Sequence, residues 1–277
     1  MKLRWQDGAC RSMRKAPAPS AGAARDEDQV AIDGNALAAR QHDDYRRTTP
    51  GTWFAEDHPP LSLEEAYAVQ DGVARLRVRD GSAIAGYKLG CIGARVREQF
   101  GMDGPIRGFL YADELHRSGA AISCARHANL AIEGEMAVRL GEDGAIATAF
   151  PIIELHNYVY RGPKPTLAEL IANNGLNAGV VLPDKEPALA EAGPLDATEL
   201  EITLNGTLLE RGPLWGFGSP EATLRWLRDH LDRHGLILQP GHLILTGTAL
   251  RLHTVSPGDS LTVTAGPLGT VRMTVVE

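Results

Sequence analysis

The chain has 277 residues, 43% hydrophobic and 23% charged, the balance of an ordinary globular protein. Its 35 acidic and 28 basic residues give a net charge of -7, and no basic stripe with interleaved aromatics appears, which argues against a nucleic-acid partner. No run approaches the roughly 18 apolar residues of a membrane-spanning helix. Three scattered cysteines, Cys10, Cys91 and Cys124, offer neither a disulfide framework nor a CxxC site, so a reducing, cytoplasmic setting is expected.

Residues 1–25 differ from the rest. The stretch "RSMRKAPAPSAGAAR" is rich in Arg, Ala, Pro and Ser, a transit-peptide composition. Pro17 and Pro19 spoil an amphipathic helix there, and a disordered extension is expected instead. A helix is expected from Gln29 to about Tyr45, weakened by Gly34. A second opens with Ser62 as N-cap, has Glu65 three residues on as a capping box, and closes at Gly81. Residues 26–81 thus read as a small helical N-terminal module.

After Gly81 the texture changes to short β-like runs broken by Gly, Pro and Asp, from "AIAGYKLG" and "GFLYAD" to "GHLILTGT" and "SLTVTAGPLGTVRMTVVE". Two helices intervene. One begins at Thr166 with Glu169 three residues on, and the other has Ser219 as N-cap, Pro220 at its first position and Gly235 at its end. Strands this short and numerous predict an α+β fold, a mixed β-roll over residues 82–277, rather than a doubly wound parallel sheet.

The run "LAIEGEMAVRL", Leu130 to Leu140, alternates as a strand. Ile132, Gly134, Met136, Val138 and Leu140 fall on one face, and Ala131, Glu133, Glu135, Ala137 and Arg139 on the other. Glu133 and Glu135 then stand about 7 Å apart, at ~3.3 Å of rise per residue. Two bare carboxylates that close repel, so the face is either a wet edge or holds something positive. Glu154, inside the apolar "FPIIELHNY", supplies a third carboxylate or is a strand-end surface residue. Three carboxylates on hydrophobic strands form a hard-oxygen set suited to Mg²⁺ or Mn²⁺.

Lys88, between Gly86 and Gly90 in an apolar run, either snorkels to solvent or is buried as a proton carrier. Asp113, after the apolar "GFLY", reads on its own as a turn or cap residue. Thr246, Gly247 and Thr248 offer N–H groups and hydroxyls to a carboxylate, or form a plain strand turn. His230 and His234 are four apart on a helix, but Leu231 stands where HExxH needs glutamate, so a hydrated helix face accounts for them. Neither a GxSxG elbow nor a phosphate-binding glycine motif is present.

Taken in order, "GYKLGCIGARVREQFGMDGPIRGFLYAD", "IEGEMAVRLG", "PIIEL", "IANNG" and "GHLILTGT…PGD" resemble the fumarylacetoacetate hydrolase superfamily. Within it they look most like the 2-keto-4-pentenoate hydratase and 4-oxalocrotonate decarboxylase branch, from about Leu61 to the C-terminus. The resemblance implies a mixed β-roll, assembly as a homo-oligomer, and one Mg²⁺ or Mn²⁺ held by Glu133, Glu135 and Glu154. It places the active-site lysine on Lys88, its paired acid on Asp113, and a substrate-lining loop on Thr246, Gly247 and Thr248. Where the family commonly reads "ADNAS", this chain has "ANNGL", so Asn173 replaces an acid and Leu176 a small hydroxyl, making the pocket more apolar if Leu176 lines it. The implied reaction is hydration of a 2-hydroxy-alka-2,4-dienoate in the catabolism of aromatic compounds. Its substrate is a small 2-oxo acid or dienol carboxylate. The alternatives are a vinylogous 2-oxo acid decarboxylase, an acylpyruvate hydrolase whose His–Glu base has only His156 as a nearby candidate, and a non-catalytic partner subunit.

Overall fold

The computed structural model describes residues 33–49, 60–157 and 166–277, and the extension expected at residues 1–25 lies outside them. Among the described residues there are five α-helices: α1 (Gly34–Arg46), α2 (Leu63–Arg79), α3 (Ala94–Phe100), α4 (Leu167–Ala172) and α5 (Pro220–Arg233). The strands are β1 (Ile84–Gly90), β2 (Ile106–Tyr111), β3 (Leu115–Arg117), β4 (Ala120–Ser123), β5 (Leu130–Leu140), β6 (Ile146–Asn157) and β7 (Asn177–Leu182). They continue with β8 (Glu199–Leu204), β9 (Thr207–Pro213), β10 (Leu243–Leu245), β11 (His253–Thr254), β12 (Ser260–Thr264) and β13 (Thr270–Val276).

The helix ends follow their local chemistry. Ser62 and Glu65 close the expected capping box on α2, and Thr166 and Glu169 close another on α4. Ser219 caps α5 ahead of Pro220. Helix α1 starts later than the pattern suggested, because the Asp33 carboxylate accepts hydrogen bonds from the Asn35 and Ala36 N–H groups. Gly34 is therefore the first helical residue, where its flexibility costs least. Helix α3 is an addition to the two helices expected after Gly81. It lacks a side-chain cap and buries none of its seven residues, so it leaves no amphipathic signature.

Two mixed sheets form an α+β fold. The larger runs β2-β1-β10-β5-β6-β7-β3, with β11 also on β5, and the smaller runs β4-β13-β12-β8-β9. The pairs β1/β10, β3/β7 and β4/β13 are parallel and the others antiparallel. One face of the larger sheet packs on the smaller one. Ile132, Met136 and Val138 of β5 join Ile202, Leu261, Val263 and Met273 in a single core. Gly134 lies in that layer because nothing larger fits, since a Cβ there would stand 2.6 Å from Ile202 Cγ1 and 3.2 Å from Val263 Cγ2.

Asp33–Glu277 forms one compact unit, so α1 and α2 belong with the sheets. The buried Gln70 of α2 donates to the Arg107 carbonyl of β2 and the Ile171 carbonyl of α4. Gln41 of α1 donates to Asn173 Oδ1 just beyond α4. These bonds fix the turn that follows α4, which reaches the face bearing the acids.

Candidate active site on the carboxylate face

The antiparallel register of β5 and β6 sets Glu133 directly opposite Glu154 and Glu135 opposite Ile152. All three carboxylates thus share the face turned away from the smaller sheet. Strand β10 places Leu245 between Ala137 of β5 and Lys88 of β1, which brings Lys88 onto the same face. The face is far from a wet edge. Glu154 is 0% exposed, Glu135 1% and Lys88 3%, and Glu133 remains partly open.

Lys88 does not snorkel to solvent. Its Nζ lies 3.2 Å from Glu154 Oε1 and donates a 2.8 Å hydrogen bond to the Gly175 carbonyl. Burial alone would lower the Lys88 ammonium, but the carboxylates of Glu154, Glu133 and Glu135 outweigh it and hold the group above its ordinary value. The Gly175 carbonyl is delivered by a turn at Asn174–Leu176, where all three residues are left-handed. Asn174 anchors that turn through both its amide atoms, accepting from the Phe109 N–H at 2.7 Å and donating to the Phe109 carbonyl at 2.9 Å. A Cβ at Gly175 would come within 2.8 Å of Lys88 Cε, so this turn needs glycine. Leu176 ends the turn and is buried.

The two oxygens of Glu154 have different partners. Oε1 takes Lys88 and a 2.8 Å hydrogen bond from Asn177 Nδ2, whereas the buried Oε2 has no hydrogen bond. His156, two residues further along β6, brings Nε2 to 3.4 Å from that Oε2 and 3.3 Å from Glu133 Oε2. The approach is within ion-pair range without hydrogen-bond geometry, and both buried His156 nitrogens lack a hydrogen-bond partner. Burial opposes charge on His156, but Glu154 and Glu133 raise it to about 9. The Glu154 carboxyl is held low despite its burial by Lys88 and His156. Burial and the charges of Glu154 and Glu133 push the Glu135 carboxyl upward. Ligand atoms of Glu133, Glu154 and His156 lie within 4.8 Å of one another, while Glu135 Oε1 turns to the Gly247 N–H.

The residues expected near the C-terminus therefore meet the protein before any substrate. Thr246 is buried and donates from its hydroxyl to the Met136 carbonyl at 2.9 Å. Gly247 holds Glu135, and the Thr248 hydroxyl accepts from the Leu250 N–H. Asp113 is not brought to Lys88. Along the β1/β2 pair Ile84 faces Tyr111 and Lys88 faces Gly108, so Asp113 lies beyond the far end of β1, four residues or ~13 Å of strand from Lys88. It is more than half exposed there, bound by the Ser82 hydroxyl and by Arg77 at 3.2 Å. The acid paired with Lys88 is Glu154.

His156, Asn177 and the Gly175 carbonyl complete the site. The period-two rule that put Glu133 and Glu135 on one face also puts His156 beside Glu154, a signal present in the sequence. Asn177 had none, being 23 residues from Glu154 and opposite His156 across a register shift. His230 and His234 lie elsewhere, and His230 is not on a hydrated face. His230 is buried, with its ring stacked on Trp226 at 4.8 Å and beside Tyr67 and His234.

The orphaned Glu154 Oε2 and His156 Nε2, beside Glu133, form a donor set that a divalent cation would satisfy. No protein-family model matches the chain. It is 28% identical over 263 residues to a 2-keto-4-pentenoate hydratase of Paraburkholderia phymatum, covering 90% of this chain and 99% of that one. It is 26% identical over 230 residues to a 4-oxalocrotonate decarboxylase of Pseudomonas putida, covering 78% and 86%. Among solved structures, 4-oxalocrotonate decarboxylase from Pseudomonas putida G7, complexed with magnesium and adipate, superposes with a TM-score of 0.83 at 23% identity, over 90% of this chain and all of that one. In sequence the chain is similar to 2-keto-4-pentenoate hydratases and 4-oxalocrotonate decarboxylases, and in fold to the solved decarboxylase.

Proposed function

We propose that the protein is a divalent-metal-dependent lyase that adds water to a 2-hydroxy-alka-2,4-dienoate, giving a 4-hydroxy-2-oxo acid. The observation that carries this reading is the buried Glu135, Glu154 and Lys88 with the partly open Glu133 on one sheet face, on a chain whose relatives are named hydratases. Glu133, Glu135 and Glu154 would hold Mg²⁺ or Mn²⁺. A bound cation supplies Lewis-acid polarisation of the oxygens at C1 and C2 of the substrate.

The remaining steps belong to the chain's own groups. Lys88, kept as an ammonium by its acidic neighbours, donates a proton to C5 and its vacated amine takes up the proton released by the C2 hydroxyl, so that the dienol becomes the conjugated ketone with no net proton change. Glu154 and the Gly175 carbonyl fix the direction of that Nζ, which is the positioning proton transfer requires. Water then adds at C4. Thr246, Gly247, Thr248 and Leu176 border the substrate in this reading, with Gly247 acting through its hold on Glu135. Assembly as a homo-oligomer and a cytoplasmic setting belong to the same reading, and the free thiols of Cys91 and Cys124 suit the latter.

Decarboxylation of a vinylogous 2-oxo acid is the second reading, favoured by the relatives named 4-oxalocrotonate decarboxylase. Both reactions use the same acid and lysine set. They separate in one assay. Purified protein with Mg²⁺ or Mn²⁺ is given 2-hydroxypenta-2,4-dienoate while the dienol absorbance is followed and the product identified. Metal-dependent loss of dienol to 4-hydroxy-2-oxopentanoate, abolished in Glu135→Gln, supports the hydratase. An unchanged dienol together with CO₂ release from 4-oxalocrotonate establishes the decarboxylase instead.

A further inference from the structure

We infer that His156 is a nitrogen ligand of the cation site, so that this chain selects a transition-metal dication such as Fe²⁺ or Co²⁺ over Mg²⁺. The inference rests on the carboxylate face being a cation site, and goes beyond it in naming a fourth donor and the class of metal it selects.

Position comes first. His156 follows Glu154 by two residues in β6, and its cross-strand neighbour on β5 is Ala131. The small alanine leaves the imidazole room to lean along the face toward Glu133 and Glu154. Its Nε2 is 3.3 Å from one carboxylate oxygen and 3.4 Å from the other. The ligand atoms of Glu133, Glu154 and His156 all lie within 4.8 Å of one another, the spacing of a group that could hold a single cation.

Satisfaction comes second. The His156 side chain is 5% exposed, and neither ring nitrogen makes a hydrogen bond. Its sequence neighbour Asn157 uses its side-chain oxygen on the Ala128 and Asn129 N–H groups, so it does not serve the imidazole. Glu154 Oε2, facing the same point, is equally unpartnered, while Oε1 is fixed by Lys88 and Asn177. Buried polar atoms without a hydrogen bond are rare in folded proteins, and here two of them, His156 Nε2 and Glu154 Oε2, face each other at 3.4 Å.

Ligand chemistry then sets the metal. Carboxylate and water suit Mg²⁺, Ca²⁺ and Mn²⁺, whereas imidazole suits first-row transition metals, whose affinity climbs from Mn²⁺ through Fe²⁺ to Co²⁺. Adding one imidazole to a carboxylate set therefore strengthens transition-metal binding more than Mg²⁺ binding.

The test loads the metal-free full chain with Mn²⁺ and records pulsed electron paramagnetic resonance. A nitrogen coupling is expected, changed when the wild-type chain is grown with ¹⁵N-histidine and absent in His156→Gln and His156→Leu. In competition calorimetry the Co²⁺-over-Mg²⁺ preference is expected to fall at least about tenfold in both variants, since even an outer-shell partner is worth about 10–100-fold in metal affinity. The isotope arm needs no substitution, so a variant that misfolds leaves the inference open to refutation. Stoichiometric Mn²⁺ binding without nitrogen coupling, or with the preference unchanged in folded variants, overturns the role of His156 and leaves the carboxylate site standing. Failure of the wild-type chain to bind Mn²⁺ stoichiometrically overturns both.

Discussion

Lys88 and Glu154 form an ion pair of 3.2 Å between side chains that are 3% and 1% exposed, linking β1 to β6 across two intervening strands of the larger sheet. A buried pair with one partner removed leaves an uncompensated charge, which costs ~3 kcal/mol or more. Lys88→Met in the metal-free protein should therefore lower the unfolding free energy by about 3 kcal/mol. It should also slow dienol turnover by about 100-fold or more, the usual scale of a positioned proton carrier. Denaturant melts and dienol absorbance measure the two effects. Turnover within a few-fold of wild type would remove Lys88 from the reaction.

Asp113→Asn provides the contrast. Its carboxylate is bound by Ser82 and Arg77 beyond the far end of β1, so turnover should fall by far less than in Lys88→Met. The ratio of the two kcat losses checks the assignment of Glu154 as the partner acid. Equal losses would return Asp113 to that role.

Gly134 tests the packing under the site. An alanine methyl would stand 2.6 Å from Ile202 Cγ1 and 2.8 Å from its Cδ1, and Ile202 is itself fully buried. Overpacking of this kind costs about 1–3 kcal/mol. Gly134→Ala should show that loss in a denaturant melt, and an unaltered midpoint would contradict the tight contact between the two sheets.

His230 gives a pH dependence away from the acids. Burial, then the charges of Arg107 and His234, lower it from its ordinary value to about 3. It is neutral in the fold, while the unfolded chain takes up a proton below about pH 6.5. Its contribution to stability is therefore present above that pH and is lost as pH falls from about 6.5 toward 3. His230→Phe keeps a ring against Trp226 and should flatten the loss of stability over that window. A slope as steep as wild type would show that His230 does not titrate this way.

Local signals were legible where one short-range force decides. Ser62–Glu65 and Thr166–Glu169 mark helix starts because their capping bonds span three residues, and Leu130–Leu140 is a strand because every second side chain is buried against the smaller sheet. The three glutamates and Lys88 stand out as candidates in the sequence because charge inside an apolar run needs an explanation, and the structure puts all four on one sheet face. Relations between distant segments were not legible. That Asp113 stands apart from Lys88 follows only from the β1/β2 register, which pairs Lys88 with Gly108 and puts Asp113 past Ile84. Gly247 binding Glu135, and Asn177 binding Glu154, likewise depend on how strands pair rather than on spacing.

In the proposed reading Glu133, Glu135 and Glu154 hold one divalent cation on which turnover depends. Calorimetric titration of Mn²⁺ into metal-free wild type and Glu154→Gln, with dienol turnover measured at each addition, tests it most directly. The account predicts one Mn²⁺ per chain in the wild type, turnover that rises with that occupancy, and affinity at least about tenfold weaker in the variant. Full turnover in chelator-treated protein, or equal Mn²⁺ affinity in Glu154→Gln, would contradict it.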